Sequence, residues 1–232
     1  MHKISLSDKK LIAKNTWELI FQCLETGTLN IEAGQYMRLV IPEIVGGARE
    51  NSRIFSAIFL SLMFRDRDSK HFRVVFRESP SAFKQYLISA PIGAQILAYG
   101  PFGDFILPKQ CLETGTLNIG WVAGGVGIAP FLSMARYATK EKLPYRITLF
   151  YANTDKESAA YLPELEELER QNTNFSVRLK FGAVGGKFLS AGDCRALDLV
   201  YIAGPMGMVS EVKKILAETG IGAEKIKCEI FG

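Results

Sequence analysis

The stretch Trp121-Val122-Ala123-Gly124-Gly125-Val126-Gly127-Ile128-Ala129-Pro130 reads as a buried strand that runs through a glycine turn into a helix. Few folds can hold such a unit. Glycines let the backbone approach a pyrophosphate and take positive φ without a Cβ clash, and the first N–H groups of the helix point at the anion. Pro130 suits the first helical turn, where its missing N–H costs nothing. The spacing is not the GxGxxG of dinucleotide folds. By itself the stretch is therefore open to two readings, a phosphate seat or an ordinary glycine-rich strand–helix connection.

The pattern on either side of this unit differs. Up to about Leu107 it is mostly strand-like: Trp17, Leu19, Phe21 and Cys23 alternate with Glu18, Ile20 and Gln22, and Phe72, Val74 and Phe76 alternate with Arg73, Val75 and Arg77, as in half-buried antiparallel strands. Turn signals at Thr26-Gly27, Ala33-Gly34, Gly46-Gly47 and Gly93 separate such segments, as in a small sandwich or barrel. After Asn118, strands expected at 119–123, 146–151, 176–181 and 199–203 alternate with helices expected at 130–142, 161–171 and 208–219. Gly220 stands as a C-terminal stop. That alternation implies a parallel sheet with helices on both faces and ligands at the carboxyl ends of its strands. The change of pattern predicts two domains, 1–108 and 109–232.

Composition narrows the function classes. With 48% hydrophobic and 22% charged residues the chain is a globular type, and its net charge of +4 comes from Lys and Arg scattered among acids. Nucleic acid is therefore not an expected partner. The longest apolar run, Ile54 to Phe64, is broken by Ser56 and Ser61 and falls well short of the roughly 20 residues of a membrane helix; it reads as one buried strand. Met1-His2-Lys3-Ile4-Ser5 has no signal-peptide pattern, so the expected location is the cytoplasm. Cys23, Cys111, Cys194 and Cys228 lie far apart, and with only His2 and His71 beside them no metal centre is expected. The acidic run Glu164, Glu166, Glu167 and Glu169 reads as a solvated helix face. The nonapeptide Cys23 to Ile31 recurs without change as Cys111 to Ile119, and its role is left open.

Several motifs together resemble the ferredoxin–NADP reductase superfamily over almost the whole chain. In order they are Gly34-Gln35-Tyr36, Arg53-Ile54-Phe55-Ser56, Gly100-Pro101-Phe102-Gly103, Gly124 to Pro130, Gly204-Pro205-Met206-Gly207-Met208, and Glu229-Ile230-Phe231. The resemblance implies an N-terminal antiparallel flavin-binding β-barrel followed by an α/β nucleotide-binding domain with a parallel sheet. Its cofactors would be FAD and NAD(P)H. Arg53 would hold the flavin pyrophosphate, Phe55 would stack on the ring and Ser56 would reach the hydride-accepting end. Ser81 would cap a helix whose N-terminus receives the pyrophosphate. Gly124, Gly125 and Gly127 would seat the NAD(P)H pyrophosphate, and Gly204, Pro205 and Met206 would line the approach of the nicotinamide. Glu229 would relay a proton and Phe231 would cover the ring as a movable lid.

The function implied is a flavin-dependent NAD(P)H oxidoreductase that passes electrons to a separate acceptor protein or small molecule. Two alternatives stand beside it: an electron-transfer subunit of a larger redox complex, and a flavin-depleted binding or regulatory module. The second is motivated by Ala57-Ile58-Phe59-Leu60 where small polar residues are usual, and by the absence near Ser81 of the family's usual glycine.

Overall fold

The computed structural model describes residues 1–25, 31–59, 70–108, 116–184 and 188–231. The chain divides into two compact units, Met1–Ile106 and Leu107–Gly232. In the first, β1 (His2–Ala13), β2 (Thr16–Cys23), β3 (Tyr36–Val40), β4 (Ser52–Ser56), β5 (Ile58–Phe59), β6 (His71–Arg77) and β7 (Gln95–Phe102) form one sheet. Its order is β4-β3-β7-β1-β2-β6-β5 and every pairing is antiparallel. The two edges of this sheet are consecutive in the chain. β4 pairs with β3, and one residue later, past Ala57, the chain enters β5 and pairs with β6. A sheet whose edges are joined through a single residue must curl into a barrel, which leaves no long open edge.

Alternation builds the core. Ile4 and Leu6, Leu19 and Phe21, and Phe72, Val74 and Phe76 all face inward, and Phe83 and Leu87 of α2 (Ala82–Ser89) pack onto them. A short helix, α1 (Ala48–Asn51), precedes β4.

Two expectations are corrected here. The apolar run from Ile54 is not one buried strand: it is cut at Ala57 into β4 and β5, Ile54 is 57% exposed, and its later part lies outside the described residues. The polar positions of β2 and β6 are also not all solvated. Glu18 has no exposed surface and Arg73 is buried. Glu18 Oε2 lies 3.0 Å from Arg73 Nη1, and Glu18 Oε1 lies 3.0 Å from the ammonium of the exposed Lys10. A strand period records which face a residue occupies, whereas the charge that makes burial tolerable comes from a partner 55 positions away.

The second unit is a parallel sheet of β8 (Leu117–Gly124), β9 (Tyr145–Asn153), β10 (Phe175–Phe181), β11 (Leu199–Gly204) and β12 (Ile226–Ile230), in the order β10-β9-β8-β11-β12. The helices are α3 (Ile128–Lys140), α4 (Leu162–Gln171), α5 (Ala191–Arg195) and α6 (Met206–Glu218). The chain winds outward from β8 through β9 to β10, then returns to the far side of β8 for β11. The winding direction therefore reverses between β8 and β11, and the crevice at their carboxyl ends is where such sheets bind ligands.

Helix α3 starts two residues before the expected position because a 3-10 turn, Gly125–Gly127, feeds straight into it. Pro130 is then its third residue, still among those whose N–H lacks an intrahelical partner. Helix α6 also starts two residues early, at Met206, and ends as expected. Gly220 takes φ +87°, and the N–H groups of Gly220 and Ile221 donate to Ala217 and Leu216 carbonyls.

The acidic face of α4 is more than solvated. Glu164 pairs with Arg136 of α3 at 3.0 Å, and Glu169 accepts the Val177 N–H of β10 at 2.6 Å. Among the described residues no helix is long and apolar enough to cross a membrane.

Removing one partner of the buried pair strands the other. Glu18→Gln is expected to cost about 3–5 kcal/mol of unfolding free energy, read as a lower denaturant midpoint. A change below about 1 kcal/mol would show that the pair does not hold β2 to β6.

Candidate functional site

In the first unit the strand order places three of the sequence motifs side by side. Tyr36 pairs with Ser56 on one side and with Phe102 on the other, so Gly34–Tyr36, Arg53–Ser56 and Gly100–Gly103 lie on neighbouring strands. The Tyr36 and Phe102 rings meet at 5.9 Å, and the Gln35 amide donates to the Gly103 carbonyl at 3.2 Å.

Arg53 and Ser81, 28 residues apart, are brought into contact: Arg53 Nη2 donates to Ser81 Oγ at 3.1 Å, and Nη1 donates to the Ser52 carbonyl at 2.7 Å. The guanidinium lies 5.7 Å from the centre of the Phe83 ring. Ser81 occupies the N-cap of α2, but its hydroxyl serves Arg53 and makes no cap hydrogen bond. The expectation of a side-chain cap is corrected accordingly, and the first N–H groups of α2 keep their capacity to meet an anion.

Sequence reasoning missed Lys84, in the first turn of the same helix. Its ammonium donates to the Arg77 carbonyl at 3.0 Å. Burial first, and the Arg53 guanidinium second, hold that ammonium below the ordinary lysine range. A lysine in a first helical turn opposes the helix dipole, and that was the available signal.

The aromatic of the motif sits differently from expectation. Phe55 is 6% exposed, with its ring packed at 5.8 Å on Phe76 and 6.1 Å on Phe83, so it is a core residue and not a ring laid open for stacking. Ile54 is the side chain of that motif that faces outward. Ser56 is 3% exposed and its Oγ has no partner among the described residues. A buried hydroxyl without a partner costs about 1–3 kcal/mol, a loss that a bound polar group would recover.

In the second unit the predicted residues gather at the carboxyl end of the sheet. Gly124 ends β8 and Gly204 ends β11. A Cβ on Gly204 would lie 3.2 Å from the Gly124 Cα, and a Cβ on Gly124 would lie 2.4 Å from Met208 Sδ. Gly127 is tighter still, since its Cβ would stand 2.2 Å from the Ala203 carbonyl oxygen. Gly125 takes φ +53°. The α3 and α6 N-termini both begin here, at Gly127 and Pro205, and neither carries a side-chain cap hydrogen bond or an acid in its first turn. Two uncapped helix N-termini beside glycine backbone can receive an anion.

Pro205 and Met206 are exposed, Met206 at 65%. Glu229 lies opposite Ala203 in β12, and the Phe231 N–H donates to the Gly204 carbonyl at 2.9 Å. The terminal acid and aromatic are thus tied to the strand that ends in Gly204. At the end of β9, Asn153 is 5% exposed and neither amide atom has a partner among the described residues.

A tightly packed glycine and an open one predict opposite outcomes. Gly127→Ala must push the turn off β11 and is expected to cost about 1–3 kcal/mol of stability. Gly207→Ala, in α6 with nothing within 4 Å of its Cβ, is expected to be neutral or to stabilise by up to about 1 kcal/mol. Thermal unfolding of both variants checks the pair, and equal effects would refute the close approach.

The model of the oxidoreductase NAD-binding domain matches residues 121–190, the segment that holds the glycine turn. Flavohemoprotein A of Dictyostelium discoideum is 32% identical over 150 residues, which cover 61% of this chain and 36% of that protein. NADH-cytochrome b5 reductase 1 of Mortierella alpina is 28% identical over 235 residues, 94% of this chain and 74% of the relative. The ferredoxin-NADP+ reductase structure from Plasmodium falciparum shares the fold with a TM-score of 0.77 at 17% identity, over 99% of this chain and 95% of that one. The chain spans about two fifths or less of the length of several curated relatives that it matches. Through both units the chain shares the fold of that ferredoxin-NADP+ reductase, and it is similar along nearly its full length to NADH-cytochrome b5 reductase 1.

Proposed function

We propose that the chain is a flavin-dependent NAD(P)H oxidoreductase that passes electrons to a separate acceptor, protein or small molecule, in the cytoplasm. The observation that carries this reading is the Ser56 hydroxyl, buried without a partner among the described residues, on the same strand as an arginine whose guanidinium is held at the N-terminus of α2. When bound, FAD supplies acceptance of hydride from nicotinamide and release of electrons one or two at a time.

The residues present fit such a group. Arg53 and Lys84, with the uncapped start of α2, supply positive charge for a diphosphate. Ser81 orients Arg53, and Phe55, locked among Phe76 and Phe83, fixes the strand that carries Ser56. Ser56 would hydrogen-bond the hydride-accepting edge. In the second unit, Gly124, Gly125 and Gly127 with the α3 N-terminus suit the NAD(P)H pyrophosphate. Gly204, Pro205 and Met206 suit the nicotinamide end, and Asn153, at the end of β9, suits the adenosine ribose. Glu229 would hold a proton for exchange, and Phe231 stays tied beside the Gly204 end of β11.

The test is anaerobic flavin reduction by NADH and NADPH in parallel. A yellow protein that bleaches with either supports the reading. A colourless protein that takes up no added FAD overturns it in favour of a flavin-depleted module, the reading that the covered Phe55 ring favours. Ser56→Ala is expected to slow flavin reduction by about 10–100-fold, the value of one charge-assisted hydrogen bond, with FAD still bound.

Lys84 gives a pH signature. Its folded pKa is depressed, so it loses its proton below the ordinary lysine value of about 10.4, and a bound diphosphate favours the charged form. FAD affinity is therefore expected to be level at neutral pH and to fall as pH rises toward that value. Lys84→Met should bind more weakly and with a flatter profile, and an unchanged profile in Lys84→Met would remove Lys84 from the seat.

A further inference from the structure

A second chemical cluster lies in the first unit, on residues that the reductase reading does not use. Register places it. Ile4 of β1 faces Cys23 of β2, and the ladder continues as the Leu24 N–H donates to the Lys3 carbonyl at 3.0 Å. His2 therefore comes opposite Glu25, with Cys23 two positions before Glu25 on the same face. An imidazole nitrogen of His2, the Sγ of Cys23 and a carboxylate oxygen of Glu25 all lie within 4.8 Å of one another. His2 Nδ1 is 3.0 Å from Glu25 Oε2, and the Lys3 N–H donates to Glu25 Oε1 at 3.3 Å. Cys23 is buried, while His2 and Glu25 are partly exposed, so the cluster is open to solvent on one side.

We propose that His2, Cys23 and Glu25 form a binding site for a divalent zinc-class cation. The donor set decides the class: one imidazole nitrogen, one sulfur and one carboxylate oxygen suit zinc, whereas magnesium and calcium take oxygen ligands. Tetrahedral zinc with bonds of about 2.0–2.3 Å separates its ligand atoms by about 3.3–3.7 Å. Charge also balances, because a dication with one thiolate and one carboxylate is neutral, which suits a site backed by the barrel core. On binding, the Cys23 thiol gives its proton to solvent and a sulfur–metal bond forms. The His2–Glu25 hydrogen bond is replaced by two metal bonds, and water takes the fourth position. The metal ties the start of β1 to the end of β2, a structural role separate from the cofactor half-sites.

The experiment uses the full chain, stripped with chelator and titrated with Co2+ as the spectroscopic stand-in for zinc, with Mg2+ as the control. One equivalent of Co2+ is expected to raise a thiolate-to-metal charge-transfer band, and Zn2+ is expected to bleach it and raise the Tm. Cys23→Ser and His2→Ala should each abolish the band and the Tm shift, while Cys228→Ser keeps both. His2→Ala, at a partly exposed position, keeps the test open should Cys23→Ser fail to fold. Absence of the band in the unaltered chain, its survival in His2→Ala, or its loss in Cys228→Ser would each overturn the site. None of these readouts depends on flavin or nicotinamide.

Discussion

Backbone against backbone, at Gly127 and Ala203, is the contact on which the second unit depends. With a carbonyl oxygen 2.2 Å from where any Cβ would stand, the turn that opens α3 can lie directly on β11 only if residue 127 has no side chain. That approach sets where α3 starts and leaves its N-terminus beside the reversal of strand order. The Gly124–Gly204 approach repeats the device one position along, and Met208 fills the space above it. The same glycines thus serve two ends, packing the crevice and leaving its rim free of side chains. The glycines that make the tight strand–helix joint are the same ones proposed to seat a phosphate.

The first unit rests on a different constraint. Joining the two sheet edges through Ala57 obliges β4 to end where β5 begins, which holds Ser56 at the seam. A hydroxyl at that seam has its neighbours' backbone groups committed to β3 and β6, and this is a physical reason for its lack of a partner. Arg53, three residues earlier, reaches α2 instead. The barrel closure and the candidate flavin contacts are therefore two descriptions of the same five-residue strand.

Much of this was legible in the sequence, and what was not has a common cause. Period-two and period-3.6 patterns are local, so the alternation after Asn118 and the stop at Gly220 could be read directly. The glycine turn and Arg53–Ser56 were also visible as short motifs. Pairings across long separations were not. Glu18 with Arg73, Ser81 with Arg53, and Glu169 with the Val177 N–H each alter the part played by a residue whose local pattern pointed elsewhere. The outward turn of Ile54 and the inward turn of Phe55 follow from barrel closure, which no window of ten residues contains. Lys84 was readable as an anomaly in a first helical turn, but only its proximity to Arg53 gives that anomaly a meaning.

The repeated nonapeptide takes on a consequence from where its copies fall. Ile31 packs in the barrel core outside any strand, whereas its twin Ile119 sits within the central parallel strand β8, at whose edge Asn118 is clasped by Asp198 through two hydrogen bonds to the carboxylate. The same final residue thus closes the repeat in two different settings, and what differs is the text that follows it. Gly120-Trp121-Val122 continues a strand, while Glu32-Ala33-Gly34 turns away, so the context downstream and not the repeated word goes with the local structure.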